Sequence, residues 1–413
     1  MKMEKYQKHP KMTKPNIGNF GRNEWAIMGT NCNAIQQLAQ QLNHFFFVGV
    51  PSKNKKYKTA YIDADHFHRN SSEKADDADE SLPYFLKYTD KINFNRFDFK
   101  AQITPFQYKT LFNETDIVLI NGNHFQGKRQ IVVLDEKKFE SLSRKLDRLT
   151  QVDAFLSLNM AHPDASGTEG VVLPDFLKSH LKNWAEIPVF SINDVEKIAH
   201  HLIANISIPT IKGLILAGGR STRMGTDKGK IDYHGKPQRD FIAEILMAHP
   251  DKVGRGLNIE PHFSIRAEQA AEFPENQKVI ADTFLELGPF GAILSAFRHD
   301  PNAAWLVVAC DLPLLDAEAL KYLIENRNPN KIATTFRSPE SAEGFPEPLI
   351  TIWEPKSYAI LLQFMAQGIS CPRKVLINSD VLVLDAPLPH ALMNVNTLEE
   401  KEKAINYLFR GVV

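Results

Sequence analysis

The stretch GLILAGGRSTRMGTDKGK, residues 213–230, runs from an apolar segment through two glycines into Arg220, Arg223, Lys228 and Lys230, with Asp227 the one carboxylate among them. After a strand that ends at Ala217, Gly218 and Gly219 let the backbone turn tightly and present N–H groups with no Cβ in the way. Such a turn binds an anion, and a triphosphate is the anion best matched to convergent cations plus backbone donors. A solvated basic loop is the alternative, because the pattern is neither GxxxxGK[ST] nor GxGxxG. Two acids further along favour the first view. WLVVACDLPLL (305–315) sets Asp311 beyond an apolar strand, and KVIADTFLELGPFGAIL (278–294) does the same with Asp282, followed by Gly288, Pro289 and Gly291 in a turn that opens a helix. Ligands of open α/β sheets bind beyond the carboxyl ends of strands. A carboxylate placed there suits Mg²⁺, which takes one or two carboxylates together with phosphate oxygens. A lone strand-end Asp is as often a cap, but two of them beside a basic glycine loop point to a nucleotide and metal site.

The elements around these residues alternate. Strands GLILAG, HFSIR, KVIAD, AWLVVACD, KIATTF, PLITIW and VLVLD are interleaved with helices around 239–248, 290–298, 316–326, 355–367 and 398–409. The first half alternates in the same way. Its apolar runs WAIMG, FFFVGV, TAYIDA, DIVLING and RQIVVLD stand among helical stretches such as AIQQLAQQL and EKKFESLSRKLDRL, then DAFLSLNM, LPDFLKSHLKNW and IPVFSINDVEKIAHHL. This alternation predicts α/β domains with largely parallel sheets. With 413 residues the chain is long enough for two domains. The expected organisation is a flexible tail over 1–22, an α/β domain over 23–205 and a second over 206–413, with NSSEKADDADESLP (70–83) a surface loop. Lys plus Arg equal Asp plus Glu at 49 each, so no global field points to nucleic acid or membrane. No apolar run approaches the length of a membrane span, and a cytoplasmic location is expected. Cys32, Cys310 and Cys371 are too widely spaced for a disulfide framework or a zinc signature and read as reduced and structural.

Residues 211–413 resemble the molybdenum cofactor guanylyltransferases, whose signature reads approximately LAGGxSxRMGxDK; here it runs complete from Leu216 to Lys228. HGKPQ (234–238), GPFGAIL (288–294), CDLPLL (310–315), PEPLITIW (346–353) and MNVNTLEE (393–400) follow in the family's order. The resemblance implies a doubly wound, Rossmann-like nucleotidyltransferase domain, GTP and Mg²⁺ as ligands, and molybdenum-loaded molybdopterin as acceptor, with molybdoenzymes or other cofactor-synthesis proteins as further partners. Leu216, Ala217, Gly218, Gly219 and Lys228 would hold the nucleotide, Asp282 would help position it, and Asp311 would bind the metal. Arg223 and the glycine turn would stabilise the leaving pyrophosphate, and Lys228 the α-phosphate. Where the guanylyl branch tends to carry Asn near the base, HFSIR offers Ser264 and then Arg266, which puts guanine selectivity in question; Gly218 and the DKG run favour the guanylyl over the CTP-using branch. Arg373 and Lys374 could meet the acceptor's phosphate or form a solvated turn. Asn394 and Asn396 match the family's motif, while Thr397 and Glu400 read as a helix capping box. Transfer to a sugar phosphate, and non-catalytic delivery of cofactor, are the competing functions.

The first half is similar, in the order and spacing of YKTAYIDADHFH and DIVLINGNHFQGKRQIVVLD, to the P-loop adaptor protein of molybdopterin-guanine dinucleotide synthesis, often fused to the transferase. WAIMGTNCNAIQQLAQQL has the layout of strand, glycine turn and helix, yet after Gly29 the P-loop positions hold Ala34, Ile35 and Gln36, so the Walker A lysine is absent. The expectation is a P-loop-like domain with a degenerate Walker A and no nucleotide hydrolysis, Lys128 or Arg129 being the substitute cations. Asp63, Asp65, His66 and His68 could ligate a metal but read better as a strand end turning into solvent.

Overall fold

The computed structural model describes residues 21–48, 56–64, 85–99, 103–158, 173–219, 227–248, 257–339 and 341–410. Asn23–Asn205 and Ile206–Val413 belong to two separate compact units. Most of the expected tail, the loop over 70–83, and Asp65, His66 and His68 lie outside the described residues.

In the first unit the strands are β1 (Asn23–Met28), β2 (Thr59–Ile62), β3 (Leu86–Asp90), β4 (Asn95–Phe99), β5 (Ile117–Asn121), β6 (Arg129–Leu134), β7 (Val152–Ser157) and β8 (Val189–Ser191), and the helices are α1 (Cys32–Val48), α2 (Pro105–Leu111), α3 (Phe139–Ser143), α4 (Asp175–His180) and α5 (Val195–Ala204). Six strands form a parallel sheet in the order β2-β5-β1-β6-β7-β8. Strands β5 and β6 are buried along their whole length, the continuous apolar signature of a sheet covered on both faces. Strands β3 and β4 make a separate antiparallel hairpin, a feature the sequence pattern did not single out.

Two expectations are corrected here. The run FFFV, read as a strand, is the last turn of α1: the buried stripe Ile35, Leu38, Ala39, Leu42 and Phe46 keeps a helical period through it. DAFLS, read as helical, is the strand β7. The turn after β1 is also unlike a phosphate loop. It contains only Gly29, Thr30 and Asn31 before α1 begins. Gly29 has φ +94°, and a Cβ there would meet the carbonyl oxygen of Val133 at 2.3 Å, so this glycine serves close packing on β6. Ile35, at the position a Walker A lysine would occupy, is fully buried.

The second unit contains β9 (Ile211–Leu216), β10 (Pro261–Ile265), β11 (Lys278–Ala281), β12 (Ala304–Ala309), β13 (Ala333–Arg337), β14 (Pro346–Trp353) and β15 (Leu382–Leu384), with α6 (Gln238–Met247), α7 (Pro289–His299), α8 (Ala317–Glu325), α9 (Ser357–Ala366), α10 (Pro372–Ile377) and α11 (Leu398–Arg410). The sheet order is β11-β10-β9-β12-β14-β13-β15. Strand β14 runs antiparallel to both neighbours, so the sheet is mixed. Alternate residues point to opposite faces. Ile215, Leu306 and Val308 pack with Ile242 and Leu246 of α6 and Leu320 and Leu323 of α8. Leu214, Trp305 and Val307 pack with Phe290 and Phe297 of α7, Leu361 of α9 and Leu376 of α10. No helix among the described residues is long and apolar enough to cross a membrane.

Candidate active site

The chain enters the sheet at β9, builds outward through β10 and β11, and then returns to the other side of β9 with β12. Loops leaving β9 and β12 therefore diverge and open a crevice beyond the strand ends. Register brings the ends together: Leu216 pairs with Ser264 and with Ala309, and Ile265 with Ala281. Backbone bonds carry the alignment one residue further, from Ala217 N to Ser264 O (3.0 Å) and from Asp282 N to Ile265 O (2.9 Å).

A cavity of about 330 Å³ lies in this crevice. Its walls include Leu216, Ala217, Gly218, Gly219, Lys228, Ser264, Asp282 and Asp311, the residues that the resemblance placed at the nucleotide or metal, whereas Lys230, counted among the convergent cations, lies outside the lining and pairs with Glu272 Oε2 at 2.8 Å. Arg220 and Arg223 lie outside the described residues. Neither Gly218 nor Gly219 has a left-handed φ. A Cβ on Gly218 would press within 3.3 Å of the Ile265 and Arg266 backbone, whereas one on Gly219 would meet nothing within 4 Å. The first glycine answers a close approach of β10; the second leaves open space.

Lys228 opens a single 3₁₀ turn (Lys228–Lys230) capped by Asp227, whose Oδ1 accepts from Gly229 N at 3.0 Å. From there its ammonium donates to Asp311 Oδ2 at 3.3 Å and to Asn396 Oδ1 at 2.5 Å. The loop that carries Asp311 is anchored at three successive carbonyls. The Asp311 carbonyl accepts from Val395 N (2.8 Å), His234 Nε2 meets the Pro313 carbonyl (2.8 Å), and Gln238 Nε2 donates to the Leu312 carbonyl (3.0 Å), so the HGKPQ segment secures the loop after β12. Among the described residues, Asp311 Oδ1 is buried with no hydrogen-bond partner. That orphaned oxygen, in a cavity with Asp282 and Asp227, fits a hard divalent cation sharing its ligands with phosphate. Among the described residues no group of three or more His, Cys, Asp and Glu could hold a metal alone.

Asn396 is the residue whose place sequence reasoning missed. The capping box is present: Thr397 Oγ1 accepts from Glu400 N (3.2 Å), and Glu400 Oε2 accepts from Asn396 N (2.6 Å) and Thr397 N (2.9 Å). These two N–H groups hold the Glu400 carboxyl below the usual carboxylate range, Asn396 first. The same cap fixes the backbone of Asn396 while its side chain reaches Lys228, so the structural and the site role coexist. The signal was the NVNT motif itself.

Burial shapes the remaining acids and the thiol. Asp282 is pushed up by desolvation, opposed by Ser264, whose hydroxyl donates to Oδ1 at 2.8 Å. Burial, then the charge of Asp311, drives the Tyr233 hydroxyl up to about 12. Cys310 is a buried thiol raised chiefly by desolvation. At the other end of the cavity, Gly288 (φ +56°) and Pro289 start α7, and its N-terminal residues Pro289 and Ala292 line the wall. Helix N-termini favour anions. Arg373 and Lys374 do not line the cavity: Arg373 sits on α10 and contacts Glu347 Oε2 (3.3 Å) and the Pro346 carbonyl (3.2 Å), and Lys374 is exposed on the same helix. Asp63, from the first unit's acidic run, is bonded to Tyr61 Oη (2.6 Å) and Asn121 Nδ2 (2.8 Å).

Residues 213–380 match the MobA-like NTP transferase domain. The chain is 29% identical over 198 residues to a molybdenum cofactor biosynthesis bifunctional protein of Synechocystis sp., the match covering 48% of this chain and 54% of that one. It is 30% identical over 196 residues to a molybdenum cofactor guanylyltransferase of Pseudomonas putida, covering 46% and 95%, and 28% identical over 193 residues to a probable molybdenum cofactor guanylyltransferase of Flavobacterium johnsoniae, covering 46% and 88%. The chain thus spans about half the length of the Synechocystis protein and nearly all of the Pseudomonas one. With a cavity at the sheet's switch point, the family match over residues 213–380 and these relatives, the chain belongs to the MobA-like NTP transferase family and is a nucleotidyltransferase.

Proposed function

We propose that the chain transfers GMP from GTP to the phosphate of molybdenum-loaded molybdopterin, releasing pyrophosphate and forming the guanine dinucleotide form of the molybdenum cofactor. The observation that carries this is Lys228 held between Asp311 and Asn396 in a cavity lined by Gly218, Gly219 and the start of α7. The names of the Pseudomonas and Flavobacterium relatives supply the acceptor and the guanine. In the reaction the acceptor's phosphate attacks the α-phosphorus in line, and charge grows on the equatorial and leaving oxygens. Lys228 steadies the α-phosphate, and Leu216 to Gly219, Ser264 and Asp282 hold the nucleoside. Arg223 stands in the proposal as the group that faces pyrophosphate. Mg²⁺, held by Asp311, would offset phosphate charge.

One observation favours testing a second nucleotide. Ser264 stands where an Asn was expected, and its hydroxyl already donates to Asp282. The experiment is competition among GTP, CTP and ATP with Mg²⁺ and metal-loaded molybdopterin. Preferred incorporation of GMP supports the proposal; faster turnover with CTP moves the chain to the cytidylyl reaction, and turnover only with a sugar phosphate replaces the acceptor. The first unit we infer to be a degenerate adaptor domain, a reading that rests on the order and spacing of its sequence motifs, the three-residue turn after β1 and the buried Ile35 where the lysine would stand being the marks of its degeneracy.

A further inference from the structure

The first unit holds a thiol and an imidazole in contact. Cys32 Sγ lies 3.2 Å from His124 Nε2, and Asn123 Nδ2 is 3.8 Å from the same sulfur. These residues are distant in sequence and meet because β1 and β5 are parallel neighbours, with Ile27 opposite Asn121. The turn after β5 then folds against the end of β1, its Gly122 N donating to the Ile27 carbonyl at 2.8 Å. A Cβ on Gly122 would come within 2.9 Å of Met28 Cβ, so a glycine is what lets the two turns approach.

Cys32 is the first residue of the 17-residue α1, whose first turn contains no acid. The helix start, the imidazole and the amide N–H thus converge on one sulfur. Beside the sulfur is a cavity of about 150 Å³, lined by Thr30, Cys32, Asn123, Lys138 and Lys145 among others. Lys145 Nζ reaches the Asn123 carbonyl at 3.4 Å, and its ammonium is disfavoured first by burial and then by neighbouring Arg148. An anion entering the cavity relieves that cost. On the side of β2, Asp63 works against a thiolate, but it is engaged by Tyr61 and Asn121. Tyr61 itself is held neutral by burial and by its bond to Asp63.

We propose that Cys32 and His124 form a nucleophilic thiol–imidazole pair, and that the adjoining cavity admits a small carboxylate-bearing disulfide, making Cys32 a site of S-thiolation. The thiol proton passes to His124 Nε2, and the sulfur attacks one sulfur of the disulfide. A protein–ligand S–S bond forms as the ligand's own S–S bond breaks, and the departing thiolate takes the proton. Cys32 is oxidised as the leaving thiol is reduced, with no other reagent. The other two cysteines are internal references: Cys310 is buried and Cys371 exposed.

The test treats the full chain with oxidised glutathione at neutral pH and follows mixed disulfide at each cysteine by mass spectrometry. Cys32 is expected to react about tenfold faster than the more exposed Cys371. His124→Gln should remove most of that advantage while leaving Cys371 unchanged. Lys145→Gln should slow oxidised glutathione and iodoacetate, and leave the uncharged iodoacetamide unaffected. Reaction at Cys32 no faster than at Cys371, or an unaltered rate in His124→Gln, overturns the pair; equal slowing of the charged and neutral reagents overturns the cavity's role. Should His124→Gln fail to fold, the ratio of Cys32 to Cys371 reaction rates in the unsubstituted protein, native against urea-unfolded, decides: a ratio unchanged by unfolding overturns the proposal, and one that collapses on unfolding supports it.

Discussion

Lys228 is held by an acid and an amide, and Asp311 by a lysine and a strapped loop, which leaves Asp311 Oδ1 buried beside the cavity with no partner among the described residues. Both side chains line the cavity wall and contribute little to the cores above and below the sheet. Lys228→Ala and Asp311→Ala should each lower transfer by about 10²- to 10³-fold, the usual cost of removing one preorganised charge from such a site. Melting temperatures should stay close to that of the unsubstituted chain; a folded variant with activity within about threefold, far short of that cost, would remove that residue from the site. Asp282 makes a pH prediction. Burial raises its carboxyl, so folding favours the protonated form. Stability from this group is complete below the ordinary Asp value of about 3.9 and is lost as pH rises through the raised value. Asp282→Asn, which can still accept from Ser264, should therefore be the more heat-stable protein at neutral pH and lose that advantage in acid. Melting curves at the two pH values check it; the same advantage at both would separate it from ionisation.

At the scale of elements, the site depends on how tightly α7 follows β11. Gly291, in the first turn of α7, packs so closely that a Cβ would meet the Phe284 carbonyl oxygen at 2.2 Å. Backbone cannot yield as a side chain does, so Gly291→Ala should destabilise the fold by roughly 1–3 kcal/mol, a typical cost of overpacking. Because Gly288 and Pro289 of the same turn line the cavity, nucleotide affinity should fall with the melting temperature. A variant with unchanged melting and unchanged binding would show that the turn relaxes freely. Helix α11 acts through its cap. Glu400 binds the N–H of Asn396, the residue whose side chain steadies Lys228. Glu400→Ala should slow transfer severalfold in a steady-state assay while the helix itself loses little.

The units make the prediction for the whole molecule, since each has its own sheet and its own packed core. Residues 206–413 alone should keep most of the transfer activity, and residues 23–205 alone should neither hydrolyse GTP nor bind it with submicromolar affinity. The three-residue turn offers few N–H groups and Ile35 no charge, while a helix start contributes only about 0.3–1 kcal/mol when exposed. Of the two substitute cations, Arg129 is buried in an ion pair with Asp153 at 2.6 Å, and Lys128 is exposed. Calorimetry of the first half with GTP and Mg²⁺ tests this; tight binding would overturn it. Loss of transfer by a folded second half would mean that the first half completes the active site.

What the sequence by itself determined was whatever neighbours along the chain encode. The alternation of strands and helices, the glycine turn, and the acids just beyond apolar strands all follow from local periodicity and from where an apolar run stops. Tertiary structure decided what depends on sheet order. Asn396 reaches Lys228 across 168 residues because its segment is tied to the loop after β12, Val395 N donating to the Asp311 carbonyl, and His124 reaches Cys32 across 92 because the parallel strands β1 and β5 align their ends. It also decided the direction of β14, since a buried apolar run reads alike in either orientation. The FFFV run became helix because burial of Phe46 on the α1 stripe outweighs the strand preference of aromatic residues.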